Sequence, residues 1–328
     1  MKLEGIKKLV KGAKERKRLQ DDFERQTCQQ ANDQIRFYNL WNERFKDVWF
    51  YRFIESRHLL DDTKKRIAFY SVFGSKKLLD YDDNDLRCFF TAENVHAYNS
   101  KEYADLFLAD DRVDLSMAFD FFDDEKYLRL PTWVLRFFAP EADFEGVRLR
   151  CKELSKPQGV ANRRRYTSII ASWDPTGLRK EIFEGLSQFG RVDCAGKWMH
   201  NDDSLKRDFG DDKLAYLKTY RYNVCPENSN AYGYVTEKLF DAIEAGCVPV
   251  YWGSYNKPEL DILNQEAILF WDFQGENAET FRMIEKMERD SAFFDSFANQ
   301  ERLLPGAAEQ VYAMYDQLEN KLRSLINS

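Results

Sequence analysis

The sequence predicts an α/β protein with two Rossmann-type domains that face a central cleft, preceded by an extra helical segment. Beyond residue 62, short runs of β-branched and aromatic residues alternate with helical and loop segments, which is typical of α/β sheets. The polar stretch 157–165 carries three consecutive arginines and is the best candidate for a linker. We therefore predict a basic helical extension at 1–62, an α/β domain at 63–156, and a second α/β domain with C-terminal helices at 157–328.

The composition indicates a soluble protein with a substantial core. The chain has 328 residues, of which 44% are hydrophobic, and no run approaches the ~20 apolar residues of a membrane span. The first residues lack the apolar core of a signal peptide. Six cysteines are scattered without metal-type spacing, and three histidines share no pattern, so we expect reduced thiols in a cytoplasmic protein and no histidine-based metal site. The net charge of −7 argues against nucleic acid as the main partner.

The N-terminal extension begins with a basic helical pattern. Residues 1–18 contain eight Lys or Arg and two Glu, a local charge of +6, and Leu3, Ile6, Val10 and Ala13 fall near one helical face. Such a helix is a candidate for peripheral contact with an anionic membrane, here the inner face of the membrane. The simpler alternative is a solvated, partly frayed helix. The aromatic segment 34–53 is also predicted to be helical.

The predicted strands of both domains are short. In the first domain, residues 66–73 and 87–91 are predicted strands, and 105–107 and 115–119 are shorter candidates. In the second domain, strands are predicted at 166–172, 220–225, 247–251 and 267–271, and helices at 178–189, 281–297 and 308–326. Pro249 lies inside one of these strands, so that strand is expected at a sheet edge or with a bulge.

Residues 220–254 form a predicted strand–loop–helix–strand unit. The loop is rich in turn-forming residues, Thr236 is a suitable N-cap, and Gly246 fits the position just past the helix end. Lys238 then lies at the helix start, where the macrodipole disfavours a cation by about 0.3 kcal/mol. Free helix-start amides next to a lysine predict a site for phosphate or diphosphate beyond the strand's carboxyl end.

The run ENSNAYGYVTEKLFDAIEAGCVPVYWGS (227–254) resembles the signature of glycosyltransferase family 10, the α-1,3/1,4-fucosyltransferases, in its bacterial form. Weaker matches follow the family's order at FFTAEN (89–94), YLRLP (127–131) and SIIASWDPTGLRKEIFEGL (168–186). Two features depart from the pattern, because Pro226 stands where many members have an aromatic residue and the first 60 residues have no counterpart. The resemblance implies the GT-B architecture.

The resemblance also implies the chemistry. The donor in this family is GDP-fucose and the anomeric configuration inverts, which requires a base and positive charge on the departing diphosphate. Glu93, just after a predicted strand, matches the general base. Arg179 and Lys238, each at a predicted helix start, match the cations at the diphosphate, so no metal ion is required.

Three further positions match the family's donor site. Glu237 matches a glutamate that contacts the fucose, and Tyr234 and Asn228 match nucleotide- or ribose-contacting positions. Each of the six residues also has a purely structural interpretation: Glu93 as a surface turn residue, Arg179 as an i,i+4 ion-pair partner, Lys238 as a helix-start lysine without a ligand, Glu237 as a capping acid, and Tyr234 and Asn228 as loop residues.

The function implied by the resemblance is transfer of L-fucose from GDP-fucose to a hydroxyl of an acceptor oligosaccharide or lipid-linked glycan. The expected acceptor contains N-acetylglucosamine, with an α-1,3 linkage. Two alternatives stay open: a related transferase with another GDP-sugar or acceptor, and a non-catalytic glycan- or nucleotide-binding protein.

Overall fold

The computed structural model describes residues 2–29, 31–38, 40, 44–73, 76–81, 83–97, 110–156, 160 and 163–328. The protein is α/β, as predicted, with two separate five-stranded sheets whose strands are all parallel. The chain divides into two compact units. The first comprises Met1–Pro131, Ala139–Ala142 and Ala313–Ser328, and the second comprises Thr132–Phe138 and Asp143–Tyr312. The ranges 1–62, 63–156 and 157–328 stay predictions.

The first unit contains a sheet with the order β1-β2-β3-β4-β5. Every residue of β2 and β4 is buried, as is expected for parallel strands with both faces covered. The elements are α1 (Lys2–Gln29), β1 (Ile35–Tyr38), a 3-10 turn (Phe45–Asp47), α2 (Trp49–Ser56), β2 (Ile67–Tyr70), a 3-10 turn (Lys76–Asp80), β3 (Leu86–Phe90), β4 (Leu115–Ala118) and β5 (Tyr127–Arg129). The strand predicted at 105–107 lies outside the described residues.

The helix predicted over 34–53 is wrong. The chain instead forms strand β1 and then helix α2, which begins only at Trp49. Strand β1 pairs in parallel with β2, and two pairs of aromatic rings stack across the strands, Phe37 on Phe69 at 5.2 Å and Tyr38 on Tyr70 at 4.9 Å. Aromatic residues pack well on a pleated surface, so the partner strand decides the conformation of this run.

The second unit contains a sheet with the order β10-β9-β8-β6-β7. Ile182 and Met287, from two different helices, are buried in one cluster with Tyr222 and Val250 of the sheet. The elements are α3 (Thr132–Phe137), α4 (Phe144–Ser155), β6 (Arg165–Ile169), α5 (Leu178–Leu186), β7 (Val192–Cys194), α6 (Ser204–Arg207), α7 (Lys213–Leu217), β8 (Tyr220–Val224), α8 (Glu237–Glu244), β9 (Val248–Tyr251), 3-10 turns (Ser254–Asn256 and Gln265–Ala267), β10 (Leu269–Phe270), α9 (Ala278–Arg289), α10 (Ser291–Ala298) and α11 (Ala307–Asn327, of which 313–327 belong to the first unit).

Three details differ from the sequence-based expectation. Strand β9 lies between β8 and β10, so Pro249 is not on an edge strand; pairing with β10 begins one residue later, at Val250. The helix predicted at 281–297 is two helices, because the Asp290 carboxylate accepts the Phe293 N–H at 3.1 Å and caps α10. Of the predicted linker, residues 157–159 and 161–162 lie outside the described part, and Arg165 begins β6.

Candidate anion-binding site

A pocket lies at the carboxyl edge of the second sheet, between strands β6 and β8. The chain leaves β6 for β7 on one side and later adds β8 on the other, so β6 and β8 border a topological switch point, where α/β folds place ligands. The pocket is small and partly open to solvent, and residues 169–171 and 223–226 line it. Three cations, Arg179, Lys213 and Lys238, complete the lining.

Arg179 is a buried guanidinium without a carboxylate partner. It is the second residue of α5 and is only 5% exposed. Its Nη2 donates to Asn228 Oδ1 at 3.1 Å, and no described carboxylate lies within ion-pair distance of the guanidinium. Burial lowers the pKa of Arg179, because the charged form loses solvent, although Asp174 and Glu227 partly offset this. A charge buried in this way needs an anion to compensate it.

The first amides of α5 are already occupied. Gly177, with φ of 81°, precedes the helix, and the Asp174 carboxylate accepts the N–H groups of Arg179 at 3.2 Å and Lys180 at 2.9 Å. These amides therefore donate within the fold. The Arg179 side chain, and not this helix terminus, is the group available to an anion.

Lys238, the second residue of α8, already has negative neighbours. Its Nζ lies 2.9 Å from Thr236 Oγ1, 3.3 Å from Glu227 Oε2 and 3.6 Å from Glu237 Oε1. Burial lowers the pKa of Lys238, but the two carboxylates outweigh burial, and the net effect raises it. Two carboxylates of the protein itself therefore already compensate the charge of this lysine.

Glu227 is the site residue that sequence reasoning missed. It is 0% exposed, and its carboxylate accepts the Thr236 N–H and the Thr236 hydroxyl, both at 2.7 Å, beside Lys238. Burial raises the pKa of Glu227, with Lys238 and Thr236 acting in the opposite direction. In the sequence it is only the first residue of a polar loop. The signal that could have found it is the apolar run 224–226 directly before it, which carries it into the interior.

Helix α8 ends as predicted but begins differently. Thr236 occupies the N-cap position, yet its hydroxyl donates to Glu227, and no side chain caps the helix. At the other end, Gly246 has φ of 72°, its N–H donates to Ile243 O, and the next N–H, of Cys247, donates to Ala242 O. This is a Schellman ending with glycine at the left-handed position.

The other three predicted donor-site residues differ in their exposure and contacts. Glu237 begins α8 with its side chain 39% exposed; burial raises its pKa, but Lys238, Lys213 and hydrogen bonds to the carboxylate together outweigh burial, and the net effect lowers its pKa. Asn228 is exposed and directs its Oδ1 to Arg179. Tyr234 is buried, and its N–H donates to Ala231 O. The second unit therefore brings Arg179, Asn228, Glu237 and Lys238 together at the pocket.

Glu93 belongs to the first unit and follows β3, as predicted. Its N–H donates to Thr91 Oγ1 at 2.9 Å, and the Thr91 hydroxyl donates to Glu93 O at 3.2 Å, so a local turn holds its backbone. The residue is half-buried. His96, three residues on, contacts Asp120 through Nε2 at 2.9 Å, which joins this turn to the loop after β4.

Sequence relatives are found over most of the chain. The model of the "Alpha-(1,3)-fucosyltransferase FucT N-terminal domain" matches residues 35–136, and that of "Glycosyltransferase family 10 (fucosyltransferase) C-term" matches 160–309. The alpha-(1,3)-fucosyltransferase FucT of Helicobacter pylori is 28% identical over 218 residues, 57% of this chain and 41% of that protein. The GDP-fucose protein O-fucosyltransferase 3 of Xenopus laevis is 26% identical over 162 residues, 45% of this chain and 34% of that protein. The chain thus spans about two fifths or less of the length of these relatives.

Solved structures agree on the fold. A crystal structure of an alpha1,3-fucosyltransferase has a TM-score of 0.58 and 19% identity, covering 88% of this chain and 90% of that one. The structure of an alpha1,3-fucosyltransferase with GDP-fucose has a TM-score of 0.55 at the same identity, over 87% and 90%. The two family matches follow each other in order and together cover about three quarters of the residues. This chain therefore belongs to glycosyltransferase family 10, the fucosyltransferases, and has a GT-B-like α/β fold.

Proposed function

We propose that this protein is an inverting transferase that moves L-fucose from GDP-fucose to a hydroxyl of an acceptor glycan. The observation that carries the proposal is Arg179, which is buried at the switch point, has no carboxylate partner within the described parts of the chain, and shares a pocket with Lys238. A guanidinium binds phosphate oxygens in a fixed, two-pronged geometry, so a diphosphate is the anion that fits. Family membership and the GDP-fucose in the structure of the alpha1,3-fucosyltransferase support GDP-fucose as the donor.

The proposed reaction is a single displacement. The acceptor oxygen attacks the anomeric carbon, the bond from that carbon to the diphosphate oxygen breaks, and its electron pair leaves with GDP. Arg179 and Lys238 stabilise the negative charge that develops on the diphosphate. Glu93 is proposed to take the acceptor proton, and Glu237 to stabilise positive charge on the sugar ring.

The acceptor proposed is an N-acetylglucosamine-containing oligosaccharide or lipid-linked glycan, fucosylated in α-1,3 linkage. The alpha-(1,3)-fucosyltransferases among the relatives support this linkage. Another relative is described as a protein O-fucosyltransferase, so a polypeptide hydroxyl is a necessary arm of any acceptor test.

No metal ion is required in this proposal, because side-chain cations already border the pocket. No three His, Cys, Asp or Glu side chains in the described parts of the chain are grouped so that they could hold a metal ion. Transfer measured with EDTA and with added Mg²⁺ or Mn²⁺ tests this step. We expect equal rates, and a rate that falls at least tenfold with EDTA and recovers with metal would contradict metal independence.

The first experiment is a donor and acceptor panel. The purified chain is incubated with GDP-fucose, GDP-mannose or UDP-galactose and with glycan or peptide acceptors, and products are read by mass spectrometry. We expect a mass gain of one fucose on a glycan, with GDP-fucose alone. NMR of the product then gives the anomeric configuration and linkage. Consumption of another donor while GDP-fucose is ignored would overturn the proposal.

We also propose peripheral contact with anionic membranes through residues 1–18. Helix α1 covers most of this segment, and Val10 is 49% exposed beside exposed Lys11, Lys14 and Lys17. Glu15 contacts Lys77 at 2.7 Å, which ties the helix to the first unit. Across the described ranges, no helix combines the length and apolar character needed to cross a bilayer.

A further inference from the structure

Lys238 lies between two carboxylates that are held in very different ways. Glu227 has no exposed surface and accepts two hydrogen bonds from Thr236 at 2.7 Å. Glu237 has a side chain that is 39% exposed; it hydrogen-bonds to Thr236 and to its own backbone N–H, and it lies 3.6 Å from Lys238 Nζ. That separation is longer than a good hydrogen bond. The Glu227 carboxylate is therefore enclosed in the interior, whereas the Glu237 carboxylate reaches solvent.

The ammonium group of Lys238 makes two hydrogen bonds and one longer ion pair with these neighbours. A lysine has three N–H donors, and three acceptors surround Nζ: Thr236 Oγ1, Glu227 Oε2 and Glu237 Oε1. Only Thr236 and Glu227 lie within hydrogen-bond distance, so a phosphate oxygen that binds Nζ either takes the third N–H, where Glu237 is the nearby acceptor, or replaces one of those two. Because Thr236 and Glu227 are buried and bonded to each other, displacing either leaves polar groups unsatisfied in the interior.

Moving Glu237 away from Lys238 costs less free energy than displacing Thr236 or Glu227. Its side chain reaches solvent, where a free carboxylate is hydrated. It is also the first residue of α8, where the positive end of the helix dipole favours a negative charge even after Lys238 has turned away. Among the three acceptors, Glu237 is the one that an incoming anion can exchange.

We propose that Glu237 and the donor diphosphate compete for the ammonium group of Lys238, with the diphosphate displacing Glu237 while Glu227 stays in place. This rests on the proposed function for the identity of the anion. Without donor, Glu237 masks the charge of Lys238. With donor, the released carboxylate becomes available beside the diphosphate, where the sugar is attached. Glu237 thereby lowers nucleotide affinity while serving the transfer step.

The test is a calorimetric titration with GDP. Glu237→Gln keeps the size of the side chain and removes its charge, so we expect GDP to bind about three- to tenfold tighter. The transfer rate at saturating GDP-fucose should fall in the same variant, a split that a merely structural residue would not produce. Glu184→Gln is the matched control, because Glu184 is an exposed helical glutamate paired only with Lys180 at 3.7 Å. Its GDP affinity should match that of the unchanged chain.

A double-mutant cycle decides whether the competition is for Lys238. Lys238→Met should weaken GDP binding about tenfold, which leaves the affinity measurable. In that background, adding Glu237→Gln should no longer tighten binding. Unchanged or weaker binding by Glu237→Gln alone, or equal tightening with and without Lys238, would overturn the exchange.

Inorganic pyrophosphate, titrated in parallel, separates this inference from the proposed function. If the chain ignores GDP but pyrophosphate binds tighter to Glu237→Gln than to the unchanged chain, the exchange stands and the nucleotide assignment is wrong. If neither anion binds, both are wrong.

Discussion

Arg179 and Arg302 are both buried guanidinium groups, and the difference in their partners separates function from folding. Arg302 donates to the backbone oxygens of Ala267 at 2.5 Å and Ala298 at 2.9 Å. Burial lowers the pKa of Arg302 to about 10, but its donors are used within the fold. Arg179 donates to one exposed side chain, Asn228. A buried charge that does little for the fold is typical of a binding site.

Replacing Arg179 by Met should therefore lower the affinity for GDP without lowering the free energy of unfolding. We expect Arg179→Met to weaken GDP binding at least tenfold, while the free energy of unfolding in urea stays equal or rises by about 1 kcal/mol, because an uncompensated buried charge is removed. Arg302→Met is the control. It should lower the unfolding free energy by about 2 kcal/mol or more, since buried carbonyls lose their donors. If Arg179→Met destabilises the protein as much as Arg302→Met, Arg179 has a structural role.

Glu93 should act on the chemical step alone. Glu93→Gln keeps the size of the side chain but cannot accept a proton, so kcat should fall by about 10² to 10⁴. GDP affinity should not change. Glu125→Gln, an exposed glutamate of the same unit, is the control and should keep full kcat. Full activity of Glu93→Gln would remove Glu93 as the base.

At the scale of elements, α8 shows what could be predicted from sequence. The position of α8 was predictable because its signals are local in the sequence: its helical period, the turn residues before it and Gly246 after it. The hydrogen bond from the Thr236 hydroxyl to Glu227 could not be predicted, because Glu227 is buried only by residues that the fold brings around it. The helix predicted over 34–53 was wrong for the same reason, because strand β1 in this segment pairs with β2, whose residues lie about thirty positions further along the chain. The places of Arg179 and Lys238 at helix starts could be predicted from the local sequence, whereas the compensation of Lys238 by Glu227 could not.

The start of α8 should depend on the Thr236 hydroxyl through Glu227. Thr236→Val keeps the shape of the side chain but removes the hydroxyl, which donates a hydrogen bond to Glu227 and accepts one from Lys238. We expect the free energy of unfolding to fall by about 1–3 kcal/mol, because a buried carboxylate loses a hydrogen bond. Thr236→Ser retains the hydroxyl and should cost less than about 1 kcal/mol. Denaturant unfolding of the three proteins measures this. A serine variant less stable than the valine variant would show that methyl packing dominates instead.

At the scale of the whole molecule, charge is distributed unevenly along the chain. Residues 1–18 carry +6 although the complete chain carries −7. The rest of the chain therefore carries −13 (−7 minus +6), and this contrast suggests two kinds of surface, one of them attracted to anionic partners. The contact between Glu15 and Lys77 shows that α1 is joined to the first unit. A truncation at residue 63 would also remove β1 and α2, so charge reversal is the cleaner test.

We expect the chain to sediment with vesicles that contain about 30% anionic lipid and to remain in solution with neutral vesicles, because each basic residue near an anionic surface contributes about 1 kcal/mol. Reversing the exposed Lys11, Lys14 and Lys17 to Glu should abolish sedimentation. The control reverses three exposed lysines elsewhere, Lys152, Lys206 and Lys218, with the same change in net charge, and should sediment like the unchanged chain. Raising the salt to 0.5 M should release the protein, since screening shortens the reach of the charges. Equal sedimentation of both triple variants would show that residues 1–18 do not form the membrane contact.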